Sequence, residues 1–278
     1  MCDMKVGLQL YSIRDDMEKD MDKTLGEVKA MGYDYVEFAG YFGKSADEVA
    51  ALLKKHDLKC ISVHQTYDLF LKEGQPAVDY LKTIGVKYCA IPWLGVDCHK
   101  GHEKCEKSYA EIQEVGELLK KNGIQMLYHN HDFEFEKFEG KYLLDWLYDT
   151  FSADILQTEI DTCWVHYAGV DPAEYVRKYT GRAPVVHLKD FVCKKLSGGP
   201  VYALISEDGS EMKASKLWDE TGFEFRPVGE GIQNIKSIID AAKDAGAEYL
   251  IVEEDQCPTA SPLDSARISR ENLKKLGY

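Results

Sequence analysis

Short apolar runs alternate with longer amphipathic segments along the whole chain. Residues 6–11, 35–38, 58–64 and 88–92 are the first four runs, and residues 124–128, 155–160, 184–188 and 249–252 complete a set of eight. Each has the length of a buried strand and ends at turn-forming or polar residues. Between them apolar residues recur at helical spacing: Leu25 and Val28 ahead of Gly32; Val49, Leu52 and Leu53 after Ser45; and Ile112, Val115, Leu118 and Leu119 ahead of Asn122-Gly123. Ser45 with Glu48 has the form of a capping box, and Asp171-Pro172 opens a further helix with proline at its first position. Other helices are expected near residues 77–84, 143–151, 232–245 and 265–276. Eight strand–helix units predict an α/β fold, a single (β/α)8 TIM barrel spanning residues 1–278. An open doubly wound sheet is the alternative, but its usual strand number is lower and no glycine-rich dinucleotide fingerprint follows the first run.

One segment breaks the rhythm. Residues 191–230 are too long for a plain connection after strand seven. They contain a further apolar run at 201–205 and a turn signal at Glu207-Asp208-Gly209-Ser210. Placed there, they are expected to form an insertion over the C-terminal face of the barrel, where a lid would sit.

Active sites of such barrels lie at the C-terminal ends of the strands, so the polar residues where each run stops carry the candidate chemistry. Run three ends in His64, run five in His129-Asn130-His131, run six in Asp161, run seven in His187 followed by Lys189 and Asp190, and run eight in Glu253-Glu254-Asp255. The last four strands each offer a metal donor, and a mixed imidazole and carboxylate set suits one divalent ion such as Mn, Zn, Co or Fe. Arg14 and Glu37 follow or end early strands and are candidates to face the same mouth, with surface ion pairing as the alternative. Trp164, three residues after Asp161, is a candidate wall for a sugar ring. Gly229-Glu230-Gly231 precedes a helix whose N-terminus could bind phosphate, yet Glu230 would repel an anion there, so Glu230 reaching a substrate hydroxyl or capping the helix is favoured. Cys98, His99, His102 and Cys105 resemble a zinc cluster without a standard spacing.

The charge narrows the partners. The chain has 34 basic and 48 acidic residues, a formal net charge of −14. No concentrated basic patch offsets it, so nucleic acid and anionic membranes are not expected partners. Eight scattered cysteines, several within apolar runs, read as reduced thiols. With no leader signature and no long apolar span, the expected location is cytoplasmic. A homo-oligomer is left open.

Six segments together resemble one family: residues 7–14, 35–41, Tyr128-His129-Asn130-His131-Asp132-Phe133-Glu134-Phe135, Val186-His187-Leu188-Lys189-Asp190, Gly229-Glu230-Gly231, and Val252-Glu253-Glu254-Asp255. The chain is similar nearly end to end to the xylose-isomerase-like barrel superfamily, in the sugar phosphate isomerase/epimerase group related to ketose 3-epimerases and inosose dehydratases. The resemblance implies a metal held by Asp161, His187 and Glu253, with His129 standing at the fourth ligand position, and proton transfer by Glu253 with Glu134 or Lys189. It also points to a carbohydrate substrate bound near His64, His131, Trp164, Glu230 and Arg14. Strand five departs from the epimerases, which carry a Glu where this chain has His129. The leading expectation is a metal-dependent isomerase or epimerase of a sugar or sugar derivative acting through an enediolate. The alternative is a dehydratase, a lyase acting on a keto-sugar or inosose. An abasic-site nuclease and a non-catalytic sugar-binding protein rank below both.

Overall fold

The computed structural model describes residues 4–196 and 222–278. Eight strands close into a barrel: β1 (Lys5–Gln9), β2 (Tyr35–Phe38), β3 (Lys59–His64), β4 (Tyr88–Ile91), β5 (Gln125–His129), β6 (Leu156–Asp161), β7 (Val185–Leu188) and β8 (Tyr249–Val252). Each pairs in parallel with its sequence neighbours, and β8 pairs with β1 to complete the ring. The outer layer is α1 (Met21–Met31), α2 (Ala46–Lys55), α3 (Gln75–Ile84), α4 (Cys105–Lys121), α5 (Leu143–Thr150), α6 (Pro172–Lys178), α7 (Ile235–Ala245) and α8 (Pro262–Lys275). The expected (β/α)8 barrel is therefore the observed architecture.

Local chemistry sets the element ends. The Ser45 side chain accepts from the Glu48 amide while Glu48 accepts from the Ser45 amide, which starts α2. Asp171 accepts from the amides of Ala173 and Glu174 at the start of α6. Left-handed glycines at Gly32, Gly85 and Gly246 end α1, α3 and α7. The first apolar run stops as a strand at Gln9, because the Tyr11 amide turns back onto the Gln9 side chain and residues 10–13 become a short 3-10 helix.

Inside the barrel the strand period of two sorts residues into layers. Ile61, Tyr88, Leu127, Val185, Tyr249 and Ile251 belong to a buried apolar cluster separate from the helix-facing core. Two residues further along several of these strands the inward positions turn polar: His129 follows Leu127, His187 follows Val185 and Glu253 follows Ile251. Gly7 fits this interior because a Cβ there would lie 2.7 Å from the Ile251 Cδ1. The inward polar side chains of these strands therefore collect at the strand ends.

The expected insertion is described only at its two ends, and residues 197–221 lie outside the described residues. The ends form an antiparallel pair, Asp190–Val192 with Glu224–Arg226. Phe191, Phe223 and Phe225 pack with Trp164 and Tyr167 in a buried aromatic cluster beside the end of β6.

Candidate metal centre and active site

Alternation along β5 to β8 brings His129, Asp161, His187 and Glu253 to one point. One donor atom from each lies within 4.8 Å of the others, and all four residues are buried. His129 Nε2 is 3.6 Å from Asp161 Oδ2 and 3.9 Å from Glu253 Oε2, and His187 Nδ1 is 3.0 Å from Glu253 Oε2. A tetrahedral ion with bonds of about 2.1 Å sets its donors about 3.4 Å apart, so the spacing matches what one ion requires. Asp161 reaches the cluster with one oxygen only. Its Oδ1 accepts from the amides of Cys163 and Trp164, where it caps the short helix Thr162–Tyr167.

Both imidazoles are held from behind. His129 Nδ1 lies 3.3 Å from Glu159 Oε1, while His187 Nε2 lies 2.7 Å from Glu37 Oε2 and 3.2 Å from Glu159 Oε1. Each ring thus gives one nitrogen to a buried carboxylate and aims the other at the four-donor cluster. That is how metal-ligating histidines are usually oriented and made more basic. His64 joins this lower tier, with Nε2 2.7 Å from Glu159 Oε1 and 3.4 Å from Glu37 Oε2. Gln9 donates to Glu37 at 3.0 Å. The donors fit a divalent ion by number, spacing, chemistry and outer support.

Charge follows from burial and from these partners. Burial pushes the His129 imidazole down to about 4, so it stays neutral as a ligand must. Burial would also lower His187, yet Glu159 and Glu37 hold it well above its ordinary value. Burial works against Glu253 ionising, but Lys189 and His187 keep it well below the usual carboxylate range.

The other expected residues separate into those at the mouth and those away from it. Lys189 Nζ is 3.0 Å from Asp161 Oδ2, 2.9 Å from Glu253 Oε2 and 3.1 Å from Asp255 Oδ1. His131 stacks on Phe133 with ring centroids 5.9 Å apart, and lies 5.9 Å from Trp164 and 5.2 Å from His129. Burial keeps His131 well below its ordinary value. Glu134 is fully buried, and both its oxygens are engaged: Tyr128 donates to one at 2.6 Å and the His131 amide to the other at 2.8 Å. It holds the residue 131–134 turn. Arg14 donates to the carbonyls of Tyr11 and Asp255. Glu230 is exposed. The amides of Gly229 and Gly231 point instead at Asp190 Oδ2, 2.9 and 3.0 Å away, so the glycine loop cradles the protein's own carboxylate. Among the described residues, donors converge as metal-sized groups only around this mouth, and Cys98, His99, His102 and Cys105 form none.

Glu159 is the residue that strand-end reasoning misses. It lies inside β6, two positions before Asp161 on the same inward register, and period-two counting back from Asp161 is the signal that finds it.

With the site in view, comparison with known proteins places the chain. The family model described as xylose isomerase-like TIM barrel matches residues 25–276. The chain belongs to this family. An inosose dehydratase of Clostridium perfringens is 28% identical over 280 residues, covering 93% of this chain and 90% of that protein. Among solved structures, a sugar phosphate isomerase/epimerase from Parabacteroides distasonis superposes with a TM-score of 0.77 at 21% identity, covering 98% of this chain and 93% of that one. The IolI protein, solved with a bound zinc atom, superposes at 0.69 and 16% identity, with 98% of each chain covered. No helix among the described residues is long and apolar enough to cross a membrane.

Proposed function

We propose that this chain is a divalent-metal-dependent dehydratase that removes water from an unphosphorylated cyclic keto-polyol of the inosose class. The observation that carries the reading is the strand-five histidine. Two-sided proton exchange, as an epimerase requires, needs a basic group on each face of the reacting carbon. Here β5 offers His129, whose Nε2 is turned into the donor cluster and whose Nδ1 is turned onto Glu159. The mouth is left with one base, Glu253, and one cation, Lys189, side by side, which is the acid–base pair an elimination uses. The inosose dehydratase relatives point the same way.

His129, Asp161, His187 and Glu253 would hold the ion. When bound, it would supply Lewis-acid polarisation of the substrate carbonyl. In this reading Glu253, ionised and at the mouth, takes the proton next to the carbonyl. Lys189, an ammonium at the same mouth, gives a proton to the departing hydroxyl. His131 and Trp164 wall the ring. The substrate carries no phosphate in this reading, because Lys189 already faces three carboxylates and the Gly229 and Gly231 amides are used by Asp190.

The second reading, isomerase or epimerase, is favoured by the Parabacteroides fold neighbour. Incubation of the manganese-loaded protein with an inosose and with ketohexoses in deuterated water separates them. Dehydration predicts a 1,2-diketone whose enol form absorbs in the ultraviolet, from the inosose only. Recovery of an epimer or isomer carrying solvent deuterium, with no absorbing product, would overturn the dehydratase reading.

A further inference from the structure

Lys189 lies on the inward register of β7, two residues beyond His187, and is 1% exposed. It touches more than a proton donor needs to touch. Its Nζ sits within 3.0 Å of one oxygen of Asp161 and one of Glu253, and within 3.2 Å of both oxygens of Asp255. Asp161 Oδ2 and Glu253 Oε2 are the very oxygens that face His129 Nε2 and His187 Nδ1. One ammonium therefore bridges and partly offsets the two carboxylates of the donor set. Three carboxylates this deeply buried repel one another strongly unless a cation stands among them. The rings of Trp164 and Phe225, with centroids 5.3 and 5.9 Å from Nζ, already border the ammonium as a cation-binding wall. Its flexible four-carbon stem lets the ammonium leave the donor oxygens without leaving this wall.

We propose that Lys189 is the built-in counter-cation of the metal centre. In the metal-free protein it holds Asp161 and Glu253 in place. A divalent ion takes those two oxygens by displacing the ammonium toward Asp255 and the Trp164–Phe225 wall, where it faces substrate. Metal and Lys189 are thus competitors, and the lysine keeps the mouth assembled between metal occupancies. This inference rests on the metal reading of the four-donor cluster.

The test is a pair of metal titrations on the full-length chain after chelator treatment, wild type against Lys189→Met, with Mn²⁺ followed by calorimetry and by melting temperature. Competition predicts that K189M binds Mn²⁺ at least roughly tenfold more tightly, since a unit positive charge near the ion is gone. It also predicts that metal-free K189M melts lower than metal-free wild type, and that Mn²⁺ raises its melting temperature by more. Equal or weaker binding by K189M, with the same metal-induced shift, would overturn the proposal while leaving the metal reading intact. Absence of binding to either protein would overturn both. If K189M folds only with metal present, the proposal is supported. If it folds under neither condition, wild type labelled with ¹³C at lysine Cε and titrated with Zn²⁺ decides. One lysine resonance moving to saturation at one equivalent supports displacement, and histidine signals moving while every lysine signal stays fixed overturns it.

Discussion

Glu159 places three imidazoles on one carboxylate oxygen: those of His64, His129 and His187 lie 2.7, 3.3 and 3.2 Å from its Oε1. It touches no ion in the proposed arrangement, yet it decides which nitrogen of His129 and of His187 faces the donors. Glu159→Gln keeps the size and loses the charge, and its amide N–H groups oppose the ring N–H groups. Manganese affinity is expected to fall about 10–100-fold, read by competition with a chromogenic chelator, while circular dichroism shows the barrel retained. His99 behaves differently. It is fully buried, with Tyr128 and Phe133 edge-on to its ring, and burial pushes it down to about 4. A depressed imidazole contributes stability that is present above its unfolded value near 6.5 and is lost as pH falls toward 4. Urea denaturation between pH 7 and 4.5 should show wild type losing more stability than His99→Phe, by up to about 3 kcal/mol at the acid end. Equal slopes would mean His99 is not a buried neutral group. In the sequence His99 reads only as one member of a zinc-like group of non-standard spacing with Cys98, His102 and Cys105, because adjacency reveals residue type but not which way a ring turns.

At the scale of elements, the apolar runs locate all eight barrel strands because each is buried on both faces, so hydrophobicity alone marks it. The edges are less visible. α4 begins at Cys105, before the apolar periodicity is evident, and the helix Tyr67–Glu73 has no counterpart in the expected pattern. α7 begins at Ile235 rather than near 232, because residues 229–233 serve another purpose: the amides of Gly229, Gly231 and Gln233, with that of Phe191, all donate to the Asp190 carboxylate. A glycine–acid–glycine sequence reads equally well as a ligand loop, and only the fold shows that its anion is internal. Two substitutions test this. Asp190→Ala strands four amides and should cost about 2–4 kcal/mol. Gly231→Ala places a Cβ 2.1 Å from Asp190 Oδ1 and 2.4 Å from the Phe191 carbonyl, so it should destabilise comparably. Thermal unfolding checks both. Because the loop anchors the strand pair that carries Phe191 and Phe225, hydrogen exchange at residues 190–192 and 224–226 should rise in either variant and stay unchanged across β1 to β4.

Along the axis of the whole molecule, the barrel divides its work between an apolar floor and a charged mouth. Ile251 and Glu253 are neighbours on the inward face of β8, one fully buried in the floor and the other 4% exposed at the mouth. The same period of two that makes the first a packing residue places the second among the proposed metal donors. Substitution at the two positions should therefore dissociate stability from metal binding. Ile251→Ala leaves a cavity in a closed interior and is expected to cost about 2–5 kcal/mol in chemical denaturation, with manganese affinity unchanged. Glu253→Gln removes a charge that contacts Lys189 and belongs to the proposed donor set. Its manganese affinity should fall by more than the roughly 10–100-fold expected for an outer carboxylate. Since an ion stabilises only the state that binds it, the melting temperature of this variant should no longer rise on metal addition, whereas those of wild type and Ile251→Ala should both rise. Metal-dependent stabilisation that survives in Glu253→Gln would place the ion elsewhere, on the His64, His129, Glu159 and His187 side of the same two imidazoles. That outcome would turn the donor assignment upside down while leaving the barrel untouched. The fold can be read from apolar spacing alone, whereas the side of each imidazole that faces a metal depends on which carboxylate lies behind it.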